Sequence, residues 1–284
     1  MTVVHPHGLS APTLTDAEIA GIAASFVDAR RGATALADFP GPLPADLATA
    51  YAIQAAAIAG WGDEVAGWKV ARVPPALEER LGAMRYIGPV FARGIRRFDG
   101  GDLSFPVIPG GFGAVEAEFA VQVAADAPAD KLDYSPAEAG AFIGAVHAAI
   151  EVAGGPLAPV NDLGPTAATS VFGNNTALIV GERVPTDDEG GGTAGADALR
   201  AEVLIDGQSV GVGSTAKLPG GIAAALAVAL GTAARVGRPL KAGQWVSTGA
   251  LTGVHAIAIG QSARVCFTGF APMSGIAVAA MPAE

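Results

Sequence analysis

One cysteine, Cys266, is all that this 284-residue chain contains, so no internal disulfide can form. A reducing compartment, the cytoplasm, is therefore its expected setting. Cys266 stands in the apolar run Arg264-Val-Cys-Phe267 and reads as a small buried hydrophobe, with no His and Asn or Asp arranged to make it a nucleophile. Charge is scarce as well. Only 15% of residues carry it, 27 acidic against 17 scattered basic ones, for a formal net charge of −10. Such a surface repels nucleic acid and anionic membranes. A small anionic substrate is repelled too unless its site is locally positive, as a bound cation would make it. Long hydrophobic spans are missing. The stretch 220–234 is nearly all apolar, but Pro219 and Arg235 bound it, and it falls short of the roughly 20 residues needed to cross a bilayer. It reads as a buried core helix. The N-terminal MTVVHPHGLSAP has neither a basic segment nor an apolar one and predicts no signal peptide.

What is present is apolar material, 51% of the residues, enough for a packed globular chain of one large domain or a core with a small subdomain. Residues 1–14 read as an unstructured arm. Thr15-Asp-Ala-Glu18 is a capping box opening a helix to about Arg31. After Pro40, Pro42 and Pro44, a second helix is predicted from Ala45 to Ala59, ended by Gly60 and Gly62. The pair would form an N-terminal helical cap over residues 1–64, with the core in 65–284. From Val65 the texture turns to short strands. Ala66–Val70 reads as one, 75–85 as a short helix, Pro89–Phe105 as strand and turn, and Ala114–Ala124 as a half-buried strand. Ser135-Pro-Ala-Glu138 is a second capping box and predicts a helix to about His147, with a strand beginning at Ala149. Asp187–Gly195 reads as an exposed Gly-rich acidic loop, and Leu199–Gly213 as a hairpin turning at Asp206-Gly207. Many short strands with few helices point to an α+β chain with a β-roll or sandwich core.

The chemistry concentrates in a few places. On a strand, Glu116 and Glu118 share one face, and Val115, Ala117 and Phe119 share the other. Two adjacent carboxylates raise one another's pKa unless something positive lies between them, and a hard divalent cation is the usual solution. The plainer alternative is a solvated strand face. Glu151 is a lone charge in the apolar run Ala148–Val152, either a third ligand or an edge residue reaching water. Lys69 lies among apolar residues in Val65–Ala71. It either transfers protons, holds an anion, or snorkels at a strand end. His147 and His255 read as core or edge residues, and Trp68 as packed.

Four segments together resemble the fumarylacetoacetate hydrolase superfamily, and within it the 2-keto-4-pentenoate hydratase and 4-oxalocrotonate decarboxylase branch. They are Ala50-Tyr-Ala-Ile-Gln54, Gly67-Trp-Lys-Val70, Val115-Glu-Ala-Glu-Phe119 with Ala149-Ile-Glu-Val152, and Leu240–Thr252 with its Thr248-Gly249 pair. The resemblance covers about residues 16–280. It implies a mixed β-roll core with an N-terminal helical cap. It implies Mg²⁺ or Mn²⁺ on Glu116, Glu118 and Glu151, Lys69 as acid, base or oxyanion partner, and Thr248 with Gly249 holding the substrate. It also implies a homo-oligomer and, in pathways of aromatic breakdown, association with a partner enzyme. The chain departs from the pattern in lacking the Asp and Arg that usually follow the third Glu, in having Ala71 for a Gly, and in having no basic residue just before Glu116. The family's Asp-Asn corresponds here to Asn174-Asn175.

The function this implies is a metal-dependent lyase, a hydratase of 2-hydroxy-2,4-dienoates or their 2-oxo tautomers. Decarboxylation of a 2-oxo dioic acid uses the same motifs. Hydrolytic cleavage of an acylpyruvate would need a base such as His, and no His is suitably placed. A non-catalytic relative acting as a binding or scaffold partner is the alternative from another class.

Overall fold

The computed structural model describes residues 13–185, 194–197 and 199–283. The predicted arm and most of the Gly-rich loop lie outside that range. Helix α1 (Asp16–Arg31) opens on the Thr15 capping box, whose hydroxyl accepts from the Glu18 amide. Helix α2 (Leu47–Trp61) is capped by Asp46 rather than entered at Ala45, and ends at Gly62 with φ 81°. That left-handed conformation is one glycine adopts without strain. The two helices pack on one another. Ile22, Phe26, Ile53 and Ala57 join the apolar cluster formed by the sheets.

Thirteen strands follow among the described residues: β1 Val65–Arg72, β2 Arg85–Phe91, β3 Ile95–Arg97, β4 Leu103–Val107, β5 Phe112–Val123, β6 Ile143–Gly155, β7 Asn175–Arg183, β8 Ala201–Ile205, β9 Gln208–Gly213, β10 Trp245–Ser247, β11 His255–Ala256, β12 Ser262–Phe267 and β13 Met273–Ala279. They form two mixed sheets. The larger runs β2-β1-β10-β5-β6-β7-β3, with β11 added beside β5, and the smaller runs β4-β13-β12-β8-β9. β1 with β10, β3 with β7 and β13 with β4 pair in parallel, and the remaining pairs are antiparallel. The α+β class and the mixed β core agree with the expectation. The hairpin β8–β9 turns at Asp206 (φ 49°) and Gly207 (φ 79°) as predicted.

Three expectations are corrected. The helix after Ser135 ends at Gly140. His147 and Ala149 instead lie within β6, whose strand begins at Ile143. Pairing with β5 on one side and β7 on the other outweighs the local helix signal. Strand β5 is not half-buried but covered on both faces, and of its twelve residues only Phe112 and Gln122 are partly exposed. Cys266 is partly exposed rather than buried, because it lies on the outward face of alternating β12.

The apolar stretch forms the helix Gly221–Arg235, which lies against β1 and β2 with Ile222, Leu226, Leu230 and Ala233 buried. Among the described residues no helix is long and apolar enough to cross a membrane.

Candidate metal centre

Antiparallel pairing of β5 with β6 sets Glu116 directly opposite Glu151, and opposite residues share a face. Glu118 is two residues along the same face. One oxygen from each of the three carboxylates lies within 4.8 Å of the others. All three side chains are buried, Glu151 completely. The solvated-face and edge alternatives are thereby excluded for these residues.

The surroundings fix one side of each group. Glu118 Oε2 accepts hydrogen bonds from Ser247 Oγ and, at 2.9 Å, from the Gly249 amide. Asn175 Nδ2 donates to Glu151 Oε1 at 3.0 Å. Lys69 Nζ stands 3.3 Å from that same oxygen and 5.8 Å from the centre of the Tyr86 ring. Glu151 Oε2 and Asn174 Oδ1 are buried without a hydrogen-bond partner among the described residues.

Burial, then the Glu151 charge, raises the Glu116 carboxyl, with Lys69 opposing. Glu118 is raised further by burial, Glu151 and Glu116, against the pull of Ser247 and Gly249. Burial acts to lower the Lys69 ammonium, but Glu151 foremost, with Tyr86, Glu116 and Glu118, reverses this and holds it above its usual value. Without a metal beside it, Lys69 is thus held as a charged donor, and its burial excludes snorkelling. Once all three carboxyl groups are ionised, one ammonium against them leaves a buried negative excess. The all-oxygen donor set and the orphaned Glu151 oxygen fit a hard divalent cation.

Above the carboxylates lies a cavity of about 270 Å³, lined in part by Lys69, Tyr86, Glu116, Glu118, Thr248 and Gly249. Every predicted site residue is thus brought together, with Glu151 beneath. Thr248 and Gly249 differ in detail from the expectation. The Thr248 hydroxyl donates to the Phe119 carbonyl, and the Gly249 amide is engaged by Glu118, so their polar hydrogens shape the site. His147 Nδ1 donates to the Gly181 carbonyl, and His255 Nε2 bonds the Thr252 hydroxyl. Neither His is among the cavity residues.

Sequence reasoning missed Ser247, Tyr86 and the tethers behind them. From α2, the Tyr51 hydroxyl accepts from the Ile87 amide, and Gln54 donates to the Ile87 and Thr169 carbonyls. The segment Ala50–Gln54 therefore ties the helical cap to the strand beside Lys69. Gly88 and Gly173 meet back to back, and a Cβ on Gly88 would lie 2.4 Å from Gly173 Cα. That approach seats the turn carrying Asn174 against β2. Arg30 of α1 donates to the Asn175 carbonyl at 2.9 Å.

No protein-family model matches the chain, and no curated protein matches it. Solved structures do. The 4-oxalocrotonate decarboxylase from Pseudomonas putida G7, complexed with calcium and acetate, is 20% identical over 94% of this chain and 100% of that one, with a TM-score of 0.75. The same enzyme complexed with magnesium and adipate gives 0.73 at 20% identity, with the same coverage. Fumarylpyruvate hydrolase from Pseudomonas aeruginosa, in complex with Mn²⁺ and pyruvate, is 14% identical over 75% of this chain and 88% of that one, with a TM-score of 0.52. Its backbone arrangement therefore identifies this chain as one with the fumarylacetoacetate hydrolase fold.

Proposed function

We propose that the chain is a divalent-metal-dependent lyase acting on a small 2-oxo acid, in the first instance a hydratase of 2-hydroxy-2,4-dienoates or 2-oxo-4-enoates. The observation that carries this reading is the buried set of Glu116, Glu118 and Glu151 beside a charged Lys69 at the floor of a cavity. Mg²⁺ or Mn²⁺ held by the three carboxylates supplies Lewis acidity and positive charge for the substrate's 1-carboxylate and 2-oxygen. Asn175, Ser247 and the Gly249 amide hold the carboxylates in orientation. Lys69 has three N–H donors. One faces Glu151, so the others are available to donate to negative charge on the substrate or to deliver a proton to it. The raised Tyr86 hydroxyl stays a neutral donor. The apolar walls provided by Val70, Val160 and Ala168 limit water.

Decarboxylation of a 2-oxo dioic acid is the second reading. It is favoured by the likeness to the decarboxylase across 94% of the chain, against about three quarters for the hydrolase structure. The absence of a His among the described residues lining the cavity weighs against acylpyruvate hydrolysis. Assays of the purified protein with Mg²⁺ or Mn²⁺ on 2-hydroxypentadienoate, 4-oxalocrotonate and acylpyruvates are expected to show turnover that a chelator abolishes. Failure on all three, with metal bound, would leave a scaffold role and overturn the enzymatic reading.

A further inference from the structure

The β1–β2 register puts a second donor beside Lys69. Lys69 pairs with Gly88, and Ala71 with Tyr86. Opposite residues share a face, as do residues two apart on a strand. Lys69, Ala71, Tyr86 and Gly88 therefore lie on one face, the face from which Lys69 reaches Glu151. Gly88 has no side chain and Ala71 only a methyl group. Tyr86 is thus the large diagonal neighbour of Lys69, at a separation that an aromatic side chain spans, and the Lys69 ammonium lies 5.8 Å from its ring centre.

Nothing in the fold engages the Tyr86 hydroxyl. The Tyr51 hydroxyl, by contrast, accepts from the Ile87 amide and ties α2 to β2. The Tyr86 hydroxyl makes no hydrogen bond to another described residue, and it is not among the buried polar atoms left without a partner. It opens instead to the cavity that the residue lines. The ring itself is buried. Burial foremost holds the proton on that oxygen, with Lys69 opposing and Glu151 and Glu116 reinforcing. Tyr86 is a fixed neutral donor that lacks an acceptor.

Charge balance shows what such a donor can do. With all three carboxyl groups ionised, Lys69 and one divalent cation balance them. Negative charge that grows on a bound 2-oxo acid as its enolate forms then meets no spare cation. A neutral O–H supplies a directed dipole there without repelling Lys69, and a dipole set in advance toward developing charge is worth most where water is excluded. We propose that Tyr86 is a catalytic residue whose hydroxyl donates to the substrate's 2-oxygen and tightens on it as that oxygen gains enolate charge. This rests on the proposed reading of the metal end and adds a residue to it.

Calorimetry on the Mg²⁺-loaded protein tests it, with oxalate and pyruvate as probes. Oxalate is planar and has a negative oxygen where the enolate carries one, whereas pyruvate has a neutral carbonyl there. Tyr86→Phe keeps the ring and removes only the hydroxyl. Its melting temperature without metal should stay within about 2 °C of the native value, and its Mg²⁺ affinity should be unchanged. Its oxalate affinity should fall by about tenfold or more, the yield of a hydrogen bond to a charged group, and its pyruvate affinity by a smaller factor. Undiminished oxalate affinity, or equal losses for the two probes, overturns the role of Tyr86 and leaves the metal end standing. A large fall in melting temperature or in Mg²⁺ affinity makes the hydroxyl a structural prop and overturns that role too. Binding of neither probe by the native protein overturns the 2-oxo acid reading and the role of Tyr86 with it.

Discussion

Arg30, half-buried, and Lys69, buried, are both cations drawn away from water, which by itself weakens each. Around Arg30 the neighbours are the rings of Trp61, Phe91 and Phe172, with the guanidinium carbon 4.9, 5.4 and 5.0 Å from their centres. Only Asp63 opposes the burial, and the group is lowered to about 10. Around Lys69 the neighbours are three carboxylates and a tyrosine, and the group is raised. Both stay protonated at neutral pH. The difference lies in what each leaves unsatisfied. The ring faces and the Asn175 carbonyl complete Arg30's surroundings. Lys69 neutralises one carboxylate of three, and ionising the other two, whose protons burial holds, creates a charge that a cation must meet. A buried cation by itself is therefore no sign of a functional site, whereas a buried cation that is outnumbered is one.

The largest expected effect comes from removing the excess. Glu116→Gln/Glu118→Gln should abolish Mg²⁺ or Mn²⁺ binding while the fold survives, because neutral amides cannot match two carboxylates. Undiminished affinity by calorimetry would show that the three glutamates are not the ligands. Removing the outnumbered cation is next. Lys69→Met should destabilise the metal-free protein by about 3–5 kcal/mol, since it strips the partner from a buried charge. Once a substrate is in hand, kcat should fall by about 10²–10⁴ with metal affinity retained. A rise in KM alone would make Lys69 only a holder of the substrate.

The counterpart on the other side of the comparison is Arg30→Met. Loss of the ring contacts and of the hydrogen bond to Asn175 should lower stability by about 1–3 kcal/mol, read by denaturant unfolding. It should leave metal binding within about a factor of ten. A kcat loss as large as that of Lys69→Met would erase the distinction between the two cations.

The smallest effect is on pH dependence. Glu116 and Glu118 bind protons more tightly in the folded chain than in the unfolded one. The folded state therefore carries more protons, and stability falls as pH rises from the ordinary carboxylate range toward about 8. A divalent cation needs those groups ionised, so its stabilisation should grow over the same interval. Melting temperatures with and without Mg²⁺ should diverge as pH rises, and parallel curves would contradict the raised carboxylates.

Much of this was legible beforehand, for reasons that can be named. Alternation along Val115–Phe119 is a local property of a strand, so the shared face of Glu116 and Glu118 follows from spacing alone. Glu151 and Lys69 stood out because a charge in an apolar run demands an explanation. Capping at Thr15 and the turn at Asp206-Gly207 are decided within four residues. The helix expected to reach His147 failed because its capping box, though formed, is a signal of a few residues. It lost to a thirteen-residue strand held by neighbours on both sides. Ser247 carried no local mark, because its partner Glu118 is 129 residues away.

Residue order thus determined the carboxylate pair, the anomalous lysine and the apolar helix, since each depends on periodicity or on the cost of an isolated charge. Tertiary structure alone decided that Glu151 stands across from Glu116, that Ser247 and Asn175 hold the carboxylates, and that Tyr86 stands beside Lys69 in the same cavity. Those placements follow from strand register and sheet order. Many distant contacts determine register and order jointly, and no short stretch of sequence contains them.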